Sequence, residues 1–228
     1  MKFLGKLKLI YKFFYKNIFN NIFFIKIIRK PINTFVLPNL KSKNKFEKDA
    51  SIWSTEKFHK TVWFSKIQTY QEKAFFDYIK NNTNSKNSIL DICCNQGRFL
   101  KALKENGYIK LYGVDIMKSA IENIKRSCIY KDGCIDVKHD LVQNYLTKSH
   151  SKSIDYAITY SASIELIHPS FNLFKELQRV VKKGFIFVLS ENQHYYPRFY
   201  RFLIKRAGFR KVKILDLGKD FILYHFEL

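Results

Sequence analysis

The sequence predicts an α/β fold: a seven-stranded, mostly parallel sheet with helices on both faces, closed at its C-terminal end by an antiparallel hairpin. Three observations predict it. From Ser88 onward, short runs rich in β-branched and aromatic residues alternate with segments of helical periodicity. Residues 88–103, SILDICCNQGRFLKAL, read as an apolar strand, a tight loop from Asp91 to Gly97, and a helix that resumes at Phe99, Leu100 and Leu103. The last two strand-like runs are joined by a short turn at Gly218 and Lys219, which makes them a hairpin.

The elements follow in order. Strand-like runs fall at 89–93, 110–115, 135–139, 154–160, 185–190, 212–217 and 221–226. Helical patterns stand between the first five, at 98–106, 118–130, a short stretch near 141–147, and 170–183, the last closed by Lys182, Lys183 and Gly184 as a C-cap. A further helix is expected over 197–207. Alternation of this kind implies parallel strands with right-handed crossovers. Upstream, 54–81 is helical in pattern, with Phe58, Val62, Tyr70, Phe75 and Tyr78 as expected buried positions, and the turn-rich NNTNSKN separates it from the first strand.

Charge and composition narrow the partners. The 228-residue chain carries 41 basic and 19 acidic residues, a net charge of +22, which suits nucleic acid, anionic lipid or a phosphorylated substrate. Lys, Asn, Ile, Phe and Tyr are all abundant, a skew that an AT-rich coding sequence also produces. Four cysteines, Cys93, Cys94, Cys128 and Cys134, include no CxxC pair, so a reduced, cytoplasmic setting is expected and a zinc site is not.

Residues 1–48 form a separate unit in this reading. Leu4, Leu7, Tyr11, Phe14, Ile18, Ile22 and Ile25 recur at three- and four-residue steps, most lysines lie off that face, and the first acidic residue is Glu47. This is a basic amphipathic helix ended by Pro31 and followed by a polar linker. Lys12, Lys16, Asn17, Asn20, Asn21 and Lys26 break the apolar run, so it is not a membrane span. Periodicity leaves two partners open for residues 1–30: an anionic membrane surface, peripherally at the inner face, or protein.

The loop and the residues after the next strands carry a resemblance. From about residue 88 to 228 the chain resembles the class I S-adenosylmethionine-dependent methyltransferases, with their Rossmann-like sheet and reversed terminal hairpin. In that family an acid and then GxGxG follow the first strand; here Asp91, Cys93, Asn95 and Gly97 occupy those positions, with Cys93 and Asn95 departing from glycine. Asp115, in LYGVDI, stands 24 residues beyond Asp91, where the family's acid accepts the ribose hydroxyls; Ile116 follows it. A plain helix cap ahead of Lys118 is the alternative. Asp140 and Leu141 match the positions that contact the adenine amino group and ring, with a helix cap again the alternative for Asp140. Tyr160 and Ser161 match the end of the fourth strand.

The resemblance implies S-adenosylmethionine as cofactor, residues 49–228 as the catalytic domain, and 49–81 as its helical lid. Acceptor-side groups are expected beyond the fourth and fifth strands, at the switch point of the sheet. His168 and His194 are the candidate general bases, since imidazole titrates near neutral pH; a surface histidine ahead of Pro169 is the alternative for the first. Glu165, Tyr195, Tyr196 and Arg198 are candidate substrate contacts.

Three functions remain open on the sequence. One is O-methylation of a small molecule or a glycan, free or lipid-linked, near a membrane. Another is RNA methylation, favoured by the charge but not by Thr159-Tyr160-Ser161-Ala162, which is unlike the NPPY-type tetrapeptide of amino-directed enzymes. The third is a non-catalytic binding protein that keeps the fold. Dinucleotide-dependent hydride transfer is disfavoured, because Cys93-x-Asn95-x-Gly97 is not GxGxxG.

Overall fold

The computed structural model describes residues 28–39, 66–127, 130, 132–161, 164–190 and 196–228. Seven strands form one sheet: β1 (Ser88–Ile92), β2 (Lys110–Asp115), β3 (Ile135–His139), β4 (Ile154–Tyr160), β5 (Val181–Ser190), β6 (Lys211–Asp216) and β7 (Phe221–Glu227). Their order is β3-β2-β1-β4-β5-β7-β6. The first five are parallel, and β7 runs antiparallel to both β5 and β6. The order reverses between β1 and β4, so the crevice for a ligand lies beyond their carboxyl ends.

Each face of the sheet buries one set of helices. On one face α1 (Tyr70–Asn82), α2 (Arg98–Glu105) and α3 (Lys118–Arg126) pack Phe75, Ile79, Leu100, Leu103 and Ile121 on Ile89, Leu111 and Ile158. On the other, α4 (Val142–Lys148), α5 (Leu173–Val180) and α6 (Tyr200–Arg206) pack Leu146, Leu177 and Ile204 on Leu90, Ala157 and Phe185. Alternation along β5 explains the division, since Phe185 and Phe187 point one way and Ile186 and Val188 the other. Rings of Phe185, Phe187, Tyr224 and Phe226 stack across β5 and β7, with successive centroids 4.5, 5.1 and 5.9 Å apart. Ser88 and Asp155 lock the start of β1 to β4: the Ser88 N–H donates to Asp155 Oδ2 at 2.9 Å, and the Asp155 N–H donates to Ser88 Oγ at 2.7 Å.

Several expectations are corrected. The predicted helix 170–183 is shorter, and Lys182, Lys183 and Gly184 are extended within β5. Gly184 is there because β7 comes close: a Cβ would lie 2.5 Å from the Phe226 carbonyl oxygen. Tyr70 is exposed, because α1 starts at that residue and residues 66–69 are not helical. Pro31 does not end a helix. The chain is helical over 28–39, Pro31 itself has helical backbone angles, and the Leu37 N–H reaches back five residues to the Ile32 carbonyl. The expected amphipathic helix over 1–27 and the linker and helical pattern over 40–65 lie outside the described residues.

Candidate cofactor and acceptor site

The loop after β1 is built from three consecutive alternate residues in the left-handed region. Cys93, Asn95 and Gly97 have φ of 58°, 49° and 71°. These are the positions where the sequence pattern calls for glycine, and the backbone adopts the glycine geometry although only one glycine is present. The Cys94 N–H continues the β1–β2 ladder to Val114 O at 3.1 Å, and the Gly97 N–H closes the turn on Cys94 O at 2.9 Å. Asn95 helps itself into the conformation, its Oδ1 accepting the Gln96 N–H at 2.8 Å. Gly97 then serves as N-cap of α2, where a Cβ would sit 3.0 Å from Ile124 Cδ1.

Asp115 ties this loop to the next. Its Oδ2 accepts the Asn95 N–H at 2.8 Å and its Oδ1 the Met117 N–H at 2.8 Å, so the carboxylate fixes both the loop and the start of α3. A carboxylate has two acceptor oxygens, the chemistry that a vicinal diol calls on. The N-cap of α3 is Met117, with no side-chain cap, so Asp115 acts on the approach to the helix and not as its cap. Asp91 is buried in β1, and burial first, then the Asp115 charge, push its carboxyl up to about 8 against the opposing pull of Arg98. A buried acid in that state favours a cationic neighbour.

Asp140 sits at the end of β3, where its N–H bonds to Asp115 O at 3.1 Å. Its Oδ1 accepts the Leu141 N–H at 2.8 Å and the Asn144 side chain at 3.1 Å, and Lys148 Nζ is 3.3 Å from Oδ2. Leu141, half-buried beside it, is the N-cap of α4 and no side chain caps that helix, so Asp140 braces the approach to α4 without capping it. Ile116 is also half-buried, and its carbonyl oxygen lies 3.0 Å from His139 Nε2.

A cluster not singled out in the sequence roofs the loop. Arg98, first residue of α2, pairs with Glu72 at 3.0 Å, both side chains being nearly buried, and its guanidinium lies over the rings of Phe99 and Tyr160 at 5.1 and 5.3 Å. Glu72 is also the third residue of α1, and it accepts the Thr69 N–H at 3.0 Å while its own N–H bonds to Thr69 Oγ1 at 3.2 Å. This capping box is written in the sequence as Thr69-Tyr-Gln-Glu72, the signal that could have found it. Tyr160 is held by Phe75, Phe99 and Phe221, with centroids 5.6, 5.6 and 6.0 Å away; burial raises its hydroxyl pKa while a hydrogen bond with Thr69 opposes the rise. Ser161 follows at φ 49°, its N–H bonded to Val188 O at 2.8 Å.

The acceptor side brings together some expected residues and turns others inward. His168 is buried, and its Nδ1 accepts the Ser170 N–H at 3.2 Å, with Ser170 Oγ 2.8 Å away. A backbone N–H only donates, so Nδ1 is the acceptor nitrogen and is committed to the turn after β4. The expectation of an ordinary surface histidine is corrected. Tyr196 packs edge-on against His168 at 5.1 Å. Arg198 is buried rather than solvated: its Nη2 donates to the carbonyls of Ile164 and Ile167, and its guanidinium lies near the rings of Phe174 and Tyr200. Through these carbonyls it braces the segment after β4 against the segment that leads into α6. His194, Tyr195 and the Glu165 side chain lie outside the described residues.

Residues 89–184 match the family model described as a methyltransferase domain. Over that stretch the chain is similar to a methyltransferase domain. The matched stretch runs from the β1 loop through the start of β5, so it includes Asp91, the three left-handed positions, Asp115 and Asp140. Solved structures share the fold. A Burkholderia thailandensis 1,6-didemethyltoxoflavin-N1-methyltransferase, solved with its substrate and S-adenosylhomocysteine, is 11% identical, covering 82% of this chain and 91% of its own at a TM-score of 0.61. S-adenosylmethionine-dependent methyltransferases from Mesorhizobium loti (14% identity, 70% and 98% coverage, TM-score 0.55) and Archaeoglobus fulgidus (17%, 78% and 99%, 0.53) superpose similarly. No curated protein matches the chain by sequence.

Proposed function

We propose that this methyltransferase domain transfers the S-adenosylmethionine methyl group to an oxygen of a small-molecule or glycan acceptor, free or lipid-linked, close to a membrane surface. When bound, the cofactor supplies a methyl group already activated on a sulfonium. The chain's own tasks are then to bind, to align and to exclude water. The residues present fit that cofactor. The left-handed loop offers close backbone approach at 93–97, Asp115 offers acceptor oxygens for a diol, and the buried Asp91 is suited to a cation. In this reading the half-buried Leu141 and Ile116 would pack on the adenine ring, with Asp140 at its amino group.

One observation carries the choice of a small acceptor. The arginines that follow the carboxyl ends of β1 and β5 are both taken up internally, Arg98 by Glu72 and Arg198 by backbone carbonyls. A site that tracks a nucleic-acid backbone spends such cations on phosphates. The net charge of +22 therefore favours an anionic surface elsewhere on the molecule more than RNA at this site. In this reading Tyr196 and Ser161 lie on the acceptor side and Arg198 braces the loop beneath them, while Tyr195 and Glu165 are assigned as acceptor contacts from the sequence alone. His168 holds the loop after β4, and His194 is the candidate base. In the membrane part of this reading the basic amphipathic stretch 1–30 supplies the attachment.

The test is methyl transfer from labelled S-adenosylmethionine to a panel of sugars, nucleotide sugars, lipid-linked glycans and RNA. Label in a small or lipid-linked hydroxyl compound, with RNA unlabelled, is the expected result. Label in RNA, with affinity falling steeply as salt rises, would replace it with the nucleic-acid reading.

A further inference from the structure

We propose that a second surface, formed by the helical segment 28–39 and α6, seats the protein on an anionic lipid bilayer through an aromatic tip and a basic rim. It is distinct from the stretch 1–27 and rests on none of the catalytic residues. The 28–39 segment is amphipathic in the wrong sense for a domain-packing helix. Its polar residues face inward: Lys30, Asn33 and Thr34 are buried, Asn33 Nδ2 donates to Pro197 O at 2.9 Å, and Thr34 Oγ1 accepts the Phe199 N–H at 3.1 Å. Its apolar residues face outward, with Ile28, Ile32, Phe35 and Val36 between 41% and 51% exposed. A helix that packs on its own domain does the reverse.

The patch continues onto α6. Phe35 meets Phe199 and Phe202 at centroid distances of 6.3 and 5.4 Å, and both of those rings are themselves exposed. Six of the nine exposed large hydrophobics among the described residues lie in this one surface; the other three, Tyr70, Ile109 and Leu215, belong to α1, the approach to β2 and β6. Scattered apolar residues on a surface are ordinary, but a contiguous exposed cluster marks an interaction site.

Charge decides what the partner is. Neither 28–39 nor 196–210 contains an Asp or Glu, and the outward residues of α6 are Arg201, Phe202, Lys205 and Arg206. Exposed Arg210 follows at the end of the turn, and half-buried Arg29 lies on the facing segment. A second copy of the chain docking here would oppose these cations to one another. A nucleic acid would use the cations and the phenylalanines, yet Ile28, Ile32 and Val36 offer no stacking face to a base. An anionic bilayer satisfies both sets at once, aliphatic and aromatic groups entering at headgroup depth while Arg and Lys stay at the phosphates. Among the described residues no helix is long and apolar enough to cross a membrane, so the contact is interfacial.

The experiment is co-sedimentation of the full chain with phosphatidylcholine vesicles, with and without phosphatidylglycerol. Binding to the phosphatidylglycerol vesicles is expected. Phe35→Ser with Phe202→Ser removes two half-exposed rings and should weaken it by ~30-fold. Arg201→Gln with Lys205→Gln should weaken it by ~5-fold per residue, an effect that added salt erases. The Arg201/Lys205 pair is exposed, so its urea midpoint should not move, and the Phe35/Phe202 pair is compared at a temperature where urea unfolding shows it fully folded. A parallel variant, Phe14→Ser with Ile18→Ser, separates this surface from the 1–27 stretch. Vesicle binding that falls only in that variant would overturn this proposal and leave the earlier one standing. Unchanged vesicle binding in the Phe35/Phe202 pair, with loss of a concentration-dependent dimer in sedimentation velocity, would overturn it in favour of a second copy.

Discussion

Replacing Cys93 with glycine should stabilise the protein, which is the reverse of what emptying a side-chain position normally does. Cys93 has φ 58°, and an L-residue in that region costs roughly 1–2 kcal/mol. Glycine removes the penalty but adds about 0.5–1 kcal/mol of backbone entropy to the unfolded chain. The net is a gain of about 0.5–1 kcal/mol, a rise in Tm of about 1–4 °C for a domain of this size. The neighbours calibrate the number. Asn95→Gly should be nearly neutral, because Asn tolerates φ 49° and its Oδ1 already bonds to the Gln96 N–H. Gly97→Ala should lose roughly 2 kcal/mol, from its φ of 71° and from a Cβ placed 3.0 Å from Ile124 Cδ1. Urea denaturation of the three variants, with the slope checked for constancy, gives the ranking. A destabilised Cys93→Gly or a neutral Gly97→Ala would refute the assignment of this loop as a glycine-type cradle.

Further predictions concern the charges around it. Asp91 has a folded pKa of about 8, above its unfolded value of 3.8, so it binds a proton on folding and apo stability falls as pH rises from about 4 to 8. Asp91→Asn should flatten that slope in thermal scans, raise apo Tm at pH 8 and weaken cofactor binding. Calorimetry in buffers of different ionisation enthalpy should show proton release when the cationic cofactor binds near neutral pH. His225 behaves oppositely: burial first, and Lys213 with it, lower its pKa against the pull of Glu227, so stability is full above 6.5 and falls as pH drops below it. His225→Gln should blunt that acid loss. Glu72→Ala removes the capping box and the Arg98 pair together and should cost roughly 3 kcal/mol in urea unfolding, with Glu72→Gln retaining part of the cap.

The sheet was legible because its signals are local and periodic. The strands at 110–115, 135–139 and 154–160 end where their apolar runs end. Lys182, Lys183 and Gly184 misled because a basic pair before glycine imitates a helix end, while the true reason for Gly184 is the Phe226 carbonyl on a distant strand. Pro31 misled as well, since its fixed φ suits the helical backbone that continues on both sides of it. The turn at Gly97 was legible from its glycine, whereas the left-handed backbone at Cys93 and Asn95 shows only in φ. Long-range partners were out of reach: Arg198 with the Ile164 and Ile167 carbonyls, and Arg98 with Glu72, are set by how separate segments meet. Even there, Thr69-x-x-Glu72 was readable and anchors half of the cluster.

The central claim is that the loop from Asp91 to Gly97, with Asp115 beneath it, binds S-adenosylmethionine. Calorimetric titration of the full chain with S-adenosylmethionine and S-adenosylhomocysteine tests it most directly. One-to-one binding of both, weakened roughly 10²-fold by Asp115→Ala through the loss of charge-assisted bonds to the ribose, is the predicted result. No heat of binding from either ligand to the folded chain, or equal affinity in Asp115→Ala, would contradict it.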